Sequence, residues 1–310
     1  MKRPFPLAVA QLGPIHLADS RESVVARLLE MLRESASRGA HFVVFPELAL
    51  TTFFPRWWMT SQDEIDRFFE RSMPNAATQP LFDEARRLRI GFYLGYAELT
   101  PQGEHFNTAI LVDREGAIVG RYRKVHLPGH DDHKPAAPFQ HLEKRYFEVG
   151  DEGFKVWDTM GTRLGMCICN DRRWPETFRV MSLQSAEVVV LGYNTPSVNI
   201  HWPEPPHLRM FHHLLLLQAH AHENALWVGA AAKCGAEDGF HMIAGSAIVS
   251  PTGEIAAQSC TEDDEVIFFN CDLAVGDTFR KFVFNFAQHR RPEHYRLIVE
   301  RTGAGDPLPD

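Results

Sequence analysis

The feature that most constrains this chain is a strand–helix–strand unit that ends at Glu47. Phe5 to Leu12 is a short apolar run compatible with a β-strand, and Asp19-Ser20-Arg21-Glu22 after it offers a helix cap with an acid three residues on. Val24, Val25, Leu28, Leu29 and Leu32 then recur at helical spacing until Gly39 stops them. His41 to Phe45 is a buried-strand pattern closing on Pro46-Glu47. A helix set between two apolar strands marks an α/β sheet.

The same grammar continues along the chain. Ile90 to Leu99 and Asn107 to Val112 read as strands, Asp113-Arg114-Glu115-Gly116 is turn chemistry, and Ala117 to Arg123 returns as a hairpin partner. Arg163 to Cys169 and Val188 to Leu191 are further strands, with a helix opening between them at Pro175, where the missing N–H costs least. His207 to Asn224 reads as a helix and Ala225 to Ala232 as a strand. A second hairpin, Ala247-Ile248-Val249 and Ile255-Ala256 about Pro251-Thr252-Gly253-Glu254, echoes the first after about 140 residues, far beyond a solenoid period. No Ser/Gly-rich linker or charge block separates the two halves. The expectation is therefore one pseudo-symmetric domain over residues 1–310, with a loose tail from about residue 302.

Composition removes several function classes. A net charge of -8 disfavours a nucleic-acid or anionic-membrane partner, and no apolar run approaches the ~20 residues that span a bilayer. Met1-Lys2-Arg3 with the following apolar residues imitates a secretory signal, but the stretch is short and broken by Pro6. The five cysteines are odd in number and scattered, poor material for a disulfide framework. A reducing, cytoplasmic compartment is the expectation.

Three segments carry candidate chemistry. In Cys167-Ile168-Cys169-Asn170-Asp171-Arg172-Arg173-Trp174-Pro175-Glu176, a strand brings Cys169 to its C-terminal end, where ligands collect in open α/β sheets. A helix N-terminus and two guanidinium groups nearby favour thiolate over thiol, although a free cysteine also serves as a small buried hydrophobe. Glu47 ends an apolar strand, where desolvation would raise its pKa toward that of a general base; an ordinary loop acid is the alternative. Lys124 closes a hairpin strand in Arg123-Lys124-Val125-His126-Leu127, either as a solvated cation or as the charge that an oxyanion requires. Cys167 shares the strand face of Cys169. The clusters around His126, His130 and His133 and around His212, His213, His220 and His222 lack the spacing of a zinc site, so no metal is expected.

Together, these segments resemble the nitrilase superfamily of carbon–nitrogen hydrolases, whose triad is a glutamate after a Phe-Pro strand, a lysine in an Arg-Lys-x-His-Leu setting and a cysteine after an apolar strand. Here these are Glu47, Lys124 and Cys169, in that order. The segments Leu48 to Trp57, Gln140 to Phe147, Cys169 to Glu176, Gly192 to Pro196, Phe211 to Leu214 and Phe284 to Arg290 look specifically like the N-carbamoyl-D-amino acid amidohydrolases.

The resemblance implies a four-layer αββα sandwich, homodimers or homotetramers paired through helices, no cofactor, and hydrolysis of N-carbamoyl-D-amino acids to the D-amino acid, carbon dioxide and ammonia. Glu143 resembles the superfamily's second glutamate, which braces the lysine. Arg172 and Arg173 are the natural clamps for a substrate α-carboxylate, of which only one need face the ligand. Asn170 would lend a backbone N–H to the oxyanion. Asn194 and Thr195 could hydrogen-bond the substrate, and His126, His141 and His212 are weaker candidates for the wall. The rivals are another carboxylate-bearing ureido or amide hydrolase of the β-ureidopropionase kind, and a catalytically silent binding protein on the same fold.

Overall fold

A computed structural model describes residues 2–198 and 204–304; the expected tail beyond residue 304 lies outside the described residues. One six-stranded sheet comprises β1 (Pro4–Gln11), β2 (Phe42–Val44), β3 (Gly91–Leu99), β4 (His105–Val112), β5 (Ile118–Arg123) and the late strand β14 (Glu265–Asp272). The other comprises β6 (Val156–Thr159), β7 (Thr162–Ile168), β8 (Val188–Tyr193), β9 (Trp227–Ala232), β12 (Ala247–Val249) and β13 (Ile255–Gln258). A small hairpin of β10 (Cys234–Glu237) and β11 (Phe240–Ile243) stands apart.

The strand orders are β14-β1-β2-β3-β4-β5 and β6-β7-β8-β9-β12-β13. In each, three parallel strands continue into an antiparallel hairpin, and an antiparallel strand closes the opposite edge. The two halves thus repeat one topology, as the echoing hairpins predicted.

Alternation along the strands builds the layers. Leu7, Val9, Val44 and Tyr93 of the first sheet share one apolar core with Leu164, Val190 and Ala230 of the second, and the Tyr93 hydroxyl donates across the gap to the Cys167 carbonyl at 3.0 Å. Ala8, Ala10, Val43, Phe45, Phe92 and Leu94 face outward onto the helices Arg21–Ser37 and Gln79–Leu88. Helices Pro175–Leu183 and Pro206–Glu223 cover the second sheet, where Phe178, Met181, Leu217 and Ala221 join the core. The result is the expected αββα sandwich. The first helix is capped by Ser20, which accepts from the Ser23 N–H at 3.1 Å, rather than by Asp19. Strands β6, β10, β11 and β14 were not read from the sequence.

Candidate active site

Lys124 and Cys169 directly follow β5 and β7, Glu47 lies three residues beyond the end of β2, and Glu143 opens a single helical turn, Glu143–Tyr146. Glycines let the Glu47 segment run between the sheets. A Cβ on Gly95 of β3 would sit 2.7 Å from the Glu47 Cα, and one on Gly192 of β8 would sit 2.2 Å from its backbone nitrogen. The chain turns sharply at Leu48 and Cys169, with φ of 47° and 46°, a region non-glycine residues enter only when the surroundings hold them there.

The three charged side chains are sealed from solvent and meet directly. Lys124 Nζ lies 2.7 Å from Glu47 Oε1 and also donates to Glu143 Oε2. Asn107 Nδ2 donates to Glu47 Oε1 at 2.8 Å, and the Asn194 backbone N–H donates to Oε2 at 2.8 Å. Asn194 Nδ2 also holds the Glu47 carbonyl at 3.0 Å. His141 Nε2 lies 3.3 Å from the other oxygen of Glu143. Burial pushes Glu47 above the ordinary carboxylate range, with Glu143 adding to the rise despite Lys124. Burial acts the same way on Glu143, but Lys124 and His141 outweigh it and hold this carboxyl below its usual value. Desolvation alone would lower Lys124, yet the two glutamates keep it firmly cationic.

Cys169 is 5% exposed and lines a cavity of roughly 190 Å³. Its thiol pKa is raised, because burial and the Glu47 charge outweigh Lys124 and Arg172. Cys169 thus favours the thiol at rest, not the thiolate expected from its sequence neighbours. Guanidinium groups are present as expected, but a desolvated sulfur beside a carboxylate keeps its proton. A thiol next to a base with a raised pKa is the arrangement that nucleophilic catalysis by proton removal requires.

The expected substrate-contacting residues divide sharply. His141, Asn170, Arg173, Asn194 and Thr195 line the cavity with Cys169. The Asn170 side chain itself is turned back onto the His126 carbonyl at 3.1 Å. Arg172 does not line the cavity; it is buried behind Cys169, with Nη1 donating to the Cys169 carbonyl at 2.7 Å. His126 is likewise an anchor: its Nδ1 lies 2.8 Å from Asp171 Oδ1, and its ring stacks on Trp174. Asp171 also accepts from the Ile168 N–H at 3.0 Å, the His126 N–H at 3.0 Å and the Tyr122 hydroxyl at 2.7 Å. It thereby ties the turn bearing Cys169 to the strand end bearing Lys124. His212 does not line the cavity, though its Nδ1 lies 3.8 Å from Oε2 of Glu204, which does; the buried histidine is its neighbour His213. Cys167 is wholly buried in the core, where burial raises its thiol pKa well above the ordinary value.

Sequence reasoning missed Asn107, Asp171, Glu204, Arg209 and His213. Glu204 and Arg209 form a wall of the cavity and pair at 2.8 Å. Arg173 lines the cavity and, among the described residues, forms no ion pair with a carboxylate. Desolvation, followed by the neighbouring Arg172 charge, lowers its pKa to about 10. Among the described residues, no three His, Cys, Asp or Glu side chains gather as a metal site, and no helix is long and apolar enough to cross a membrane.

Comparison with known proteins agrees with this architecture. The family model for carbon-nitrogen hydrolases matches residues 6–281. A citrullinase of Francisella tularensis subsp. tularensis is 28% identical over 303 residues, spanning 95% of this chain and 98% of its own. An N-carbamoylputrescine amidase of Arabidopsis thaliana is 27% identical over 298 residues, spanning 92% and 93%. A carbon-nitrogen hydrolase structure from Helicobacter pylori G27 has the same fold, with a TM-score of 0.82 over 96% of this chain and 99% of that one at 21% identity.

Proposed function

We propose, from the premise that this chain belongs to the carbon–nitrogen hydrolase family, that it cleaves the ureido C–N bond of N-carbamoyl amino acids, with N-carbamoyl-D-amino acids as the preferred class. Glu47 takes the Cys169 proton, and the sulfur electron pair attacks the ureido carbon while the carbonyl π pair moves to oxygen. Lys124 and the backbone N–H near Asn170 stabilise that oxygen. The amino acid nitrogen takes the proton from Glu47 and leaves, so a carbamoyl thioester remains on Cys169. Water, deprotonated by Glu47, attacks the thioester; the sulfur leaves as the thiol, and carbamic acid decomposes to carbon dioxide and ammonia.

The single observation that carries the substrate class is Arg173, a cation facing the cavity with no carboxylate partner among the described residues. A planar guanidinium in that setting suits a substrate carboxylate. A carbamoylated diamine, the substrate class in the name of the Arabidopsis relative, would need a free acid instead. Glu204, the acid of this wall, is already held by Arg209. The preference for the D series rests on the motif segments from Leu48 to Trp57 and from Cys169 to Glu176.

The test is ammonia release from N-carbamoyl-D-phenylalanine, its L enantiomer and N-carbamoylputrescine. Wild type is expected to favour the D substrate, Cys169→Ala to be inactive while folded, and Arg173→Ala to raise KM for the carboxylated substrate by about 10–100-fold, the range of a lost charged hydrogen bond. Preferred turnover of N-carbamoylputrescine would overturn the substrate assignment.

A further inference from the structure

Arg172 is 1% exposed, the largest fully buried side chain among the described residues, and none of their carboxylates lies within ion-pair distance of it. Its partners are neutral. Nε–H donates to His213 Nδ1 at 3.0 Å, Nη1 to the Cys169 carbonyl at 2.7 Å and Nη2 to Thr195 Oγ1 at 2.9 Å, while the guanidinium carbon lies 4.7 Å from the centre of the Tyr193 ring. His213 is kept uncharged, since burial and then the Arg172 charge drive its pKa well below the ordinary value. Its Nδ1 is thereby free to accept, and Nε2–H points to the Gly245 carbonyl at 3.3 Å.

A guanidinium cannot shed its proton to escape burial, and a buried ion without a counter-charge is costly. Of the groups Arg172 touches among the described residues, Cys169 Sγ, 3.7 Å from Nη1, is the one that turns negative during the reaction. We propose that Arg172 is a catalytic residue, the counter-ion of the Cys169 sulfur, held in place by neutral His213, and not a clamp for the substrate carboxylate.

The proposal rests on Cys169 being the nucleophile. When the S–H proton passes to Glu47, its electron pair stays on sulfur against the guanidinium. That pair then forms the C–S bond and returns to sulfur when the thioester breaks. Arg172 thus acts at both ends of the covalent intermediate, whereas Lys124 acts at the oxygen. The division of labour follows from position: Lys124 is spoken for by two carboxylates, and Arg172 by none among the described residues.

The experiment follows alkylation of Cys169 by iodoacetamide against pH in the full chain without substrate, with Cys169→Ala as the blank for the other thiols. Iodoacetamide carries no carboxylate, so a substrate clamp cannot influence it. Arg172→Gln is expected to slow alkylation at neutral pH about 10–100-fold and to displace the profile to higher pH, the size of one charged hydrogen bond. For N-carbamoyl-D-phenylalanine the loss should fall on kcat, with KM nearly unchanged. Arg172→Lys should recover part of both.

A wild-type alkylation profile in Arg172→Gln, with the loss confined to KM, would overturn the proposal in favour of the clamp. Retained turnover in Cys169→Ala would instead overturn the nucleophile itself. His213→Leu leaves the charge and removes the Nε acceptor, which keeps the question open to test should Arg172→Gln not fold. Its profile should move the same way by a smaller factor, and an unmoved profile counts against the assigned role of His213.

Discussion

Glu47 and Glu143 share one ammonium, yet their surroundings push their proton affinities in opposite directions. Glu47 ends up above and Glu143 below the usual value, and such splitting separates a proton-accepting carboxylate from a permanently ionised one. Glu47 must be deprotonated to take the thiol proton, so activity should fall as pH drops through its raised pKa, above the ~4.3 of a free glutamate. Glu143 carries charge that raises Glu47 further, so Glu143→Gln should move the acid limb of kcat/KM to lower pH. An acid limb that stays put or moves upward would break the assignment of base and brace. At this scale the sequence was informative where a residue closes an apolar strand, as Glu47, Lys124 and Cys169 do. It was silent on Asn107 and Asp171, whose partners lie across the fold, at Glu47 and at Tyr122. His213 was legible in principle. With Leu217, His220 and Ala221 it lies on the buried stripe of its helix at spacings of four, seven and eight, which His212 does not share.

The elements meet at the Glu47 segment, and the two glycines that admit it give the sharpest prediction at this scale. At Gly192 an added Cβ would lie 2.2 Å from a backbone nitrogen and 2.4 Å from the Pro46 carbonyl carbon. Backbone atoms on both sides cannot rotate away as a flexible side chain would, so Gly192→Ala must part the sheets or displace Glu47. The expected cost is about 1–3 kcal/mol of stability from overpacking, read from urea unfolding. A 1 Å shift of the base would also lower kcat/KM on the order of 100-fold. Full activity at wild-type stability would show that the close approach is not required. Periodicity revealed the central strands of both sheets because they are continuous apolar runs. It missed β6 and β14 because neither is a continuous buried run: β6 is four residues long with no buried position, and β14 mixes buried with exposed and half-buried ones.

For the whole molecule, the two halves share a topology but not a surface. No large hydrophobic side chain is exposed among the described residues of the helices Arg21–Ser37 and Gln79–Leu88; charged pairs such as Arg33–Glu84 cover that layer. The layer over the second sheet differs. Helix Pro175–Leu183 exposes Val180 and Leu183, and helix Pro206–Glu223 exposes Phe211 and Leu215. The two helices are joined by Arg179 and Ser182, which donate to the carbonyls of Glu223 and Asn224, and by Phe178 stacked on His220. We propose that this apolar face is a contact surface. A second copy is the occupant that the implied pairing through helices supplies, and a two-fold axis would set the same helix pair against itself. Light scattering on the eluting protein should therefore give at least twice the monomer mass for wild type. The double substitution Leu183→Glu and Leu215→Glu, which buries like charges against their own symmetry mates, should give the monomer mass. Because His213 sits on the inner face of helix Pro206–Glu223 and holds Arg172, which lies on the turn Cys169–Arg173 leading into helix Pro175–Leu183, the monomeric variant is also expected to lose kcat while retaining its fold by circular dichroism. A wild-type monomer, or a double variant that still pairs, would assign the apolar face to something other than self-association.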